Sequence, residues 1–217
     1  MPISSAKTLT VAELKPVFPK TKSLWIRTAA GPKTGFGHLK RCLILARTRQ
    51  DCCTPLFLVD NEDCWSVQQL AEGNWNYYSG KLEEIWSRMP DPACILIDTR
   101  LSTGLNDLIA TAKGRRIPVI SIHDMGLNPL PADIVIDGSI AARICDPLLQ
   151  NSEHFQGPQF MVLDPLYGRF HGQPKEIPER IRSVFINLGG GNSKRFFYWH
   201  QGCIVHGGTF LGSGRTT

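Results

Sequence analysis

SLWIRTAAGPKTGFGHLKRCLILARTR, residues 23–49, is the stretch from which the rest of the chain is read. Ser23 to Thr28 is a short run of apolar and β-branched residues and reads as a buried strand. Glycines follow at 31, 35 and 37. From His38 to Arg49, apolar Leu39, Cys42, Leu43 and Ala46 recur at the spacing of one helix face. Strand, glycine turn and helix in that order open a βαβ unit.

The same alternation continues downstream. Pro55 to Asp60 (PLFLVD) reads as a second strand and Cys64 to Glu72 as a short helix. Trp75 to Tyr78 is a weak third strand, Gly80 to Met89 a helix, and Ala93 to Asp98 (ACILID) a strong strand. Ser102 to Lys113 carries Leu105, Leu108, Ile109 and Ala112 at i, i+3, i+4 and i+7, with Ser102 as N-cap and Gly114 as terminator. Pro118 to Ile122 and Asp133 to Asp137 read as two more strands. The fold class expected is α/β: a Rossmann-like parallel sheet covered by helices on both faces. Ligands then sit beyond the C-terminal ends of the strands. The polar groups falling there are the 31–38 loop, Asp60, Asp98, Thr99, Arg100, His123 and Asp124.

Composition narrows the class. Of 217 residues, 42% are hydrophobic and 20% charged, the profile of a folded chain rather than a disordered one. The net charge of +5 is spread out, and its densest knot, Lys113, Arg115 and Arg116, reads as a basic helix end rather than a nucleic-acid patch. No stretch approaches the roughly 20 apolar residues of a membrane span. Residues 1–22 read as a flexible polar arm without the apolar core of a signal peptide. The seven cysteines cannot all pair and form no CxxC, so neither a metal site nor a cofactor is expected, and the compartment implied is a reducing cytoplasm. Cys42, Cys94 and Cys145 read as small buried hydrophobes. The α/β domain is expected over 23–144, an irregular connection over 145–181, and the start of a truncated second domain with an aberrant tail over 182–217.

Several residues point to chemistry. A glycine-rich turn before a helix lets backbone N–H groups approach an anion. The third glycine of G-x-G-x-x-G is missing here, Arg41 standing nearest that place, so dinucleotide binding is not expected. GGGNSK, 189–194, has the wrong spacing for a phosphate loop. A histidine in the first turn of a helix meets the positive dipole end, which favours the neutral imidazole that a general base requires. His38 is therefore either a catalytic base or a residue bonded to neighbouring backbone. Arg41, one turn on, either meets an anionic substrate or is solvated. Asp98 and Asp124 end strands, where they hold a sugar hydroxyl, orient His38, place a water, or simply cap a loop.

GFGHLKRCLILAR resembles the first-loop motif G-x-G-H-x-x-R-x-L-x-L-A of the nucleotide-sugar hydrolases of the pseudaminic acid pathway. Those enzymes are similar to glycosyltransferases of the two-domain GT-B fold, and related chains are described as spore-coat polysaccharide proteins. The resemblance continues in order through ILIDTR (95–100), VISIHD (119–124), ADIVIDGS (132–139), GPQFMVLDPLY (157–167) and INLGGGN (186–192). It implies the N-terminal domain of such a fold, with the second largely missing. It makes His38 the catalytic residue, activating a water that displaces UDP from the anomeric carbon. Gly35 and Gly37 would shape the loop near sugar and phosphates, Asp98 and Asp124 keep family positions, and Gly189 and Gly190 match the family's G-G-x-D, with Asn192 in place of its acidic residue. Asp164 stands where the family carries an arginine, and Thr99-Arg100 where it carries His-Tyr. The function implied is release of UDP from a UDP-deoxyaminosugar. Two alternatives stand beside it: a GT-B-like glycosyltransferase with a UDP-sugar donor, and a non-catalytic remnant or accessory sugar-nucleotide-binding domain.

Overall fold

A computed structural model of the chain describes residues 23–32, 34–60, 63–99, 104–123, 130–140 and 151–174, Ile177, Glu179 and Arg180, and the strands within 184–212. Seven parallel strands form the main sheet: β1 (Ser23–Thr28), β2 (Thr54–Val59), β3 (Tyr77–Ser79), β4 (Cys94–Asp98), β5 (Val119–His123), β6 (Ile134–Asp137) and β7 (Glu153–Gln156). Between them run α1 (Gly37–Arg49), α2 (Cys64–Glu72), α3 (Leu82–Arg88) and α4 (Leu105–Gly114). The strand order is β3-β2-β1-β4-β5-β6-β7. The chain thus builds outward one way from β1, then returns to β4 and builds the other way. The resulting switch point, between the C-terminal ends of β1 and β4, is where an open parallel sheet makes its crevice.

Two apolar layers hold the sheet, one on each face. On one, Trp25, Leu56, Ile95, Ile97 and Val119 pack against Leu108 and Ile109 of α4 and Ile85 and Trp86 of α3. Trp25 and Trp86 meet with ring centroids 4.8 Å apart. On the other, Ile26, Phe57 and Leu96 pack against Leu39, Cys42 and Ala46 of α1. Each buried Leu, Ile, Val or Phe among them contributes about 1.5–3 kcal/mol by leaving water.

The expected α/β class is the one observed, with local differences. Trp75 lies before β3 rather than in it. Its N–H closes the end of α2 on the Leu70 carbonyl (2.9 Å) and its ring packs edge-on against Phe57. Helix α4 begins at Leu105, behind Gly104 in the left-handed region (φ 74°), and Ser102, the expected cap, lies outside the described residues. Gly114 is the last helical residue rather than the terminator; Arg116 takes the left-handed turn instead (φ 59°). The basic knot has a structural role: the Arg115 guanidinium lies 4.8 Å over the Trp86 ring and 2.8 Å from Asp91.

The expected irregular connection contains β7, which extends the main sheet beside β6. Its sequence, EHFQ, is exposed or half-buried, so it carries none of the apolar signal that marks the other strands. Cys94 is half-buried rather than buried, and Cys145 lies outside the described residues. Beyond it, β8 (Val184–Asn187) pairs with β10 (Thr209–Gly212), which pairs with β9 (Ile204–His206), in a separate antiparallel sheet. The tail expected to be aberrant thus contributes two strands.

Candidate functional site

The 31–37 loop is closed by two backbone bonds, Gly31 N–H to the Gly35 carbonyl (3.0 Å) and Gly35 N–H to the Gly31 carbonyl (2.7 Å). Gly35 adopts φ 74°, which a side chain would strain. The loop releases the chain into α1 at Gly37, with no side-chain cap and no acidic residue in the first turn. His38, Arg41 and Cys42 then share one face of the helix, at i, i+3 and i+4.

That face meets Asp98. Because Thr28 and Asp98 are in register across the parallel β1–β4 pair, the carboxylate stands beside the strand from which α1 departs. Asp98 is completely buried (0% exposed), a costly position for a charge unless its oxygens are fully bonded. Four donors serve it. His38 Nδ1 lies 2.7 Å from Oδ1, Arg41 reaches Oδ1 through Nη2 (2.6 Å) and Oδ2 through Nε (2.7 Å), and the Cys42 thiol approaches Oδ2 at 3.8 Å. The arginine contact is the bidentate fork that neutralises a carboxylate best.

The tautomer follows. Nδ1 faces a carboxylate oxygen at bonding distance, so in the neutral imidazole Nδ1 carries the proton and donates, and the lone pair lies on Nε2. Arg41 Nη2 lies only 3.3 Å from Nδ1 because both are donors converging on Oδ1. Burial first, then the Asp98 charge, push the Cys42 thiol well above its ordinary range, so it remains an S–H donor.

His38 lines a cavity of about 510 Å³. Its α1 wall continues through Lys40, Arg41 and Ile44; its far wall is Phe160, Met161, Val162 and Leu163. Ile122, Gly138 and Ser139 also line it, with Thr34 and Gly37 from the loop. Gly138 sets how near the far wall approaches: a Cβ there would stand 2.6 Å from the Met161 Cα. Asp137 fixes the turn around it by accepting from the Ser139 N–H (2.9 Å) and the Ser139 hydroxyl.

Of the residues singled out in the sequence, His38, Arg41 and Asp98 come together, Gly37 borders the cavity, and Gly35 shapes the loop. Among the readings open for Asp98 (a sugar contact, a water site, a loop cap or a support for His38), the geometry is that of a buried carboxylate bonded to His38. Arg41, read as an anion contact or a solvated residue, places its Nε and Nη2 on Asp98. Asp60 pairs with the buried Arg27 at 2.6 Å, while Asp164 accepts from Leu166 N–H and starts a 3-10 turn. Asp124, Arg100, Gly189, Gly190 and Asn192 lie outside the described residues. The 160–163 wall and the 138–139 turn were not singled out as site residues, since neither carries helical periodicity or a titratable group. Among the described residues, no group of histidines, cysteines and carboxylates is arranged to hold a metal ion. No described helix is long and apolar enough to cross a membrane.

No protein-family model matches the chain, and no curated protein matches it. Among solved structures it is similar to the crystal structure of MurG from Acinetobacter baumannii, with a TM-score of 0.43 and 13% identity. The match covers 61% of this chain and 44% of that one, so the chain spans less than half the length of the MurG structure it resembles. The likeness is one of fold alone.

Proposed function

We propose that the chain acts on a UDP-sugar, with His38 as the general base for the oxygen nucleophile that displaces UDP from the anomeric carbon. The observation that carries this is the 2.7 Å bond from His38 Nδ1 to a buried carboxylate at the sheet's switch point, in the wall of a cavity. A base needs an oriented ring, a free lone pair and access to substrate. Asp98 supplies the first two by holding the ring and its tautomer; the cavity supplies the third.

In the step proposed, the nucleophile's proton passes to Nε2 as its oxygen bonds the anomeric carbon. The bond from that carbon to the diphosphate breaks, and its electron pair leaves with UDP. Water as nucleophile gives hydrolysis, the reaction implied by the sequence resemblance; an alcohol gives glycosyl transfer. Arg41 holds Asp98 beside the ring, sharing Oδ1 with His38 and also reaching Oδ2, which the Cys42 thiol approaches as well. Gly189, Gly190 and Asn192 are proposed to meet the nucleotide, on the strength of the resemblance alone, and Asp124 the sugar.

Incubation of the full chain with a panel of UDP-sugars, following UDP release, tests the proposal. His38→Gln should abolish release while leaving affinity for the UDP-sugar within a few-fold. A loss of affinity with turnover unchanged would assign His38 to binding. Binding without release would favour the accessory sugar-nucleotide-binding reading; absence of both at millimolar UDP-sugar would favour the non-catalytic remnant.

A further inference from the structure

Two adjacent cysteines, Cys52 and Cys53, have no part in the proposed reaction. They lie in the turn between α1 and β2, at the opposite end of α1 from His38. That turn folds both residues back onto one atom. The backbone N–H groups of Cys52 and Cys53 each reach the Arg49 carbonyl at 3.0 Å, and the two thiols each reach the same oxygen at 3.3 Å. Sulfurs that share one acceptor so closely are neighbours. A carbonyl oxygen has two lone pairs, which the N–H groups fill as the stronger donors. The thiols are thus gathered at the helix end without being needed to close it.

Access differs between the two. Cys52 is exposed and Cys53 half-buried. Burial first, then the neighbouring Cys52, push the Cys53 thiol up, so a reagent in solution meets Cys52 first. Cys94, at the same edge of the sheet, is a disulfide partner for neither. Leu24 of β1 is in register with Pro55 on one side and Cys94 on the other, so β1 stands between. Two interstrand spacings of about 4.8 Å exceed the roughly 7 Å that a disulfide spans between Cα atoms. Adjacent cysteines have the reverse problem. Their Cα atoms lie about 3.8 Å apart, short of the roughly 4.4–6.8 Å usual for a disulfide, so the bond they form is strained and easily reduced. Such a bond belongs to the reversible class.

We propose that Cys52 and Cys53 form a reversible thiol–disulfide site whose reaction partner is a small-molecule disulfide. The Cys52 thiolate attacks one sulfur of that disulfide, its S–S bond breaks, and one small thiol leaves with the electron pair. The Cys53 thiolate then attacks the Cys52 sulfur of the mixed disulfide and releases the second small thiol. The cysteine pair has lost two electrons and two protons, and the oxidant has gained them as two thiols. The Arg49 carbonyl keeps both N–H donors, so α1 stays closed at this end. The site stands apart from the reading of His38, from which the length of α1 separates it.

The test incubates the reduced full chain with excess glutathione disulfide, blocks the remaining thiols with iodoacetamide, and maps the peptides by mass spectrometry without reduction. Digestion with trypsin and a glutamate-specific protease separates the Cys52–Cys53 peptide from Cys64. Cys64, exposed and beyond the other end of β2, is the reference for a single thiol. The Cys52–Cys53 peptide should be unalkylated and lighter by two hydrogens, while Cys64 carries glutathione. Cys53→Ser should leave Cys52 as its glutathione mixed disulfide, because the resolving thiol is gone. Excess reduced glutathione should return the wild-type pair to two alkylatable thiols. Alkylation of both cysteines, glutathione retained on the wild-type pair, or a bond from either to any other cysteine would overturn the proposal. So would an internal bond that reduced glutathione leaves intact, or a Cys52 that stays fully alkylated in Cys53→Ser.

Discussion

His38 and Asp98, 60 residues apart in the chain, are joined at 2.7 Å because β1 and β4 are neighbours in the sheet and not in the sequence. The helix that follows β1 therefore packs its first turn against the end of β4. One carboxylate then receives donors from three positions of a single helix face, and the imidazole is held in one orientation and one tautomer.

Removing that carboxylate should be felt throughout the cluster. Asp98→Ala leaves the Arg41 guanidinium and His38 Nδ1–H facing a dry space without an acceptor. The expected loss is about 3–5 kcal/mol of unfolding free energy, read by urea denaturation. Asp98→Asn, which keeps the shape, should retain the fold but allow the wrong imidazole tautomer, with turnover down on the order of 10³-fold.

Gly138 admits no side chain. Gly138→Ala would drive a methyl into the Met161 backbone, 2.6 Å away, and push the 160–163 wall outward. A destabilisation of about 1–3 kcal/mol is expected from overpacking, measured as a lower urea midpoint. An unchanged midpoint would show that the wall has room to shift.

Cys42 gives a pH signature. Burial and the Asp98 charge raise its thiol in the folded state above the ordinary value of 9.0, so the folded chain holds the proton after the unfolded chain releases it. Stability from this group is present below pH 9 and is lost as pH rises above it, at up to about 1.4 kcal/mol per pH unit. Cys42→Ala should show a shallower decline than wild type between pH 9 and 10. In the native chain at pH 8, the exposed Cys64 should react with iodoacetamide while Cys42 stays unmodified, as peptide mapping would show.

The parts of this architecture legible in the sequence are those with local signals. Strand, glycine turn and helix over 23–49 follow from periodicity and composition, and Asp98 is readable as a strand-end carboxylate. That Asp98 orients His38 stood only as one of several options, since the register of Thr28 with Asp98 is a property of the sheet. The commitment of Arg41 is invisible for the same reason: a helix-face arginine looks alike whether it meets solvent, substrate or a buried aspartate. The far wall was hidden more deeply. Phe160 to Leu163 have no period, β7 is a polar edge strand, and the need for glycine at 138 comes from a backbone 23 residues away.

The account's central claim is that His38 is the base at this site. UDP release from a UDP-sugar, compared between wild type and His38→Gln at pH 7 and saturating substrate, tests it most directly. Release by the wild type, reduced at least about 10²-fold in the variant with equal urea midpoints, is the predicted result. Equal release by the two proteins would contradict it.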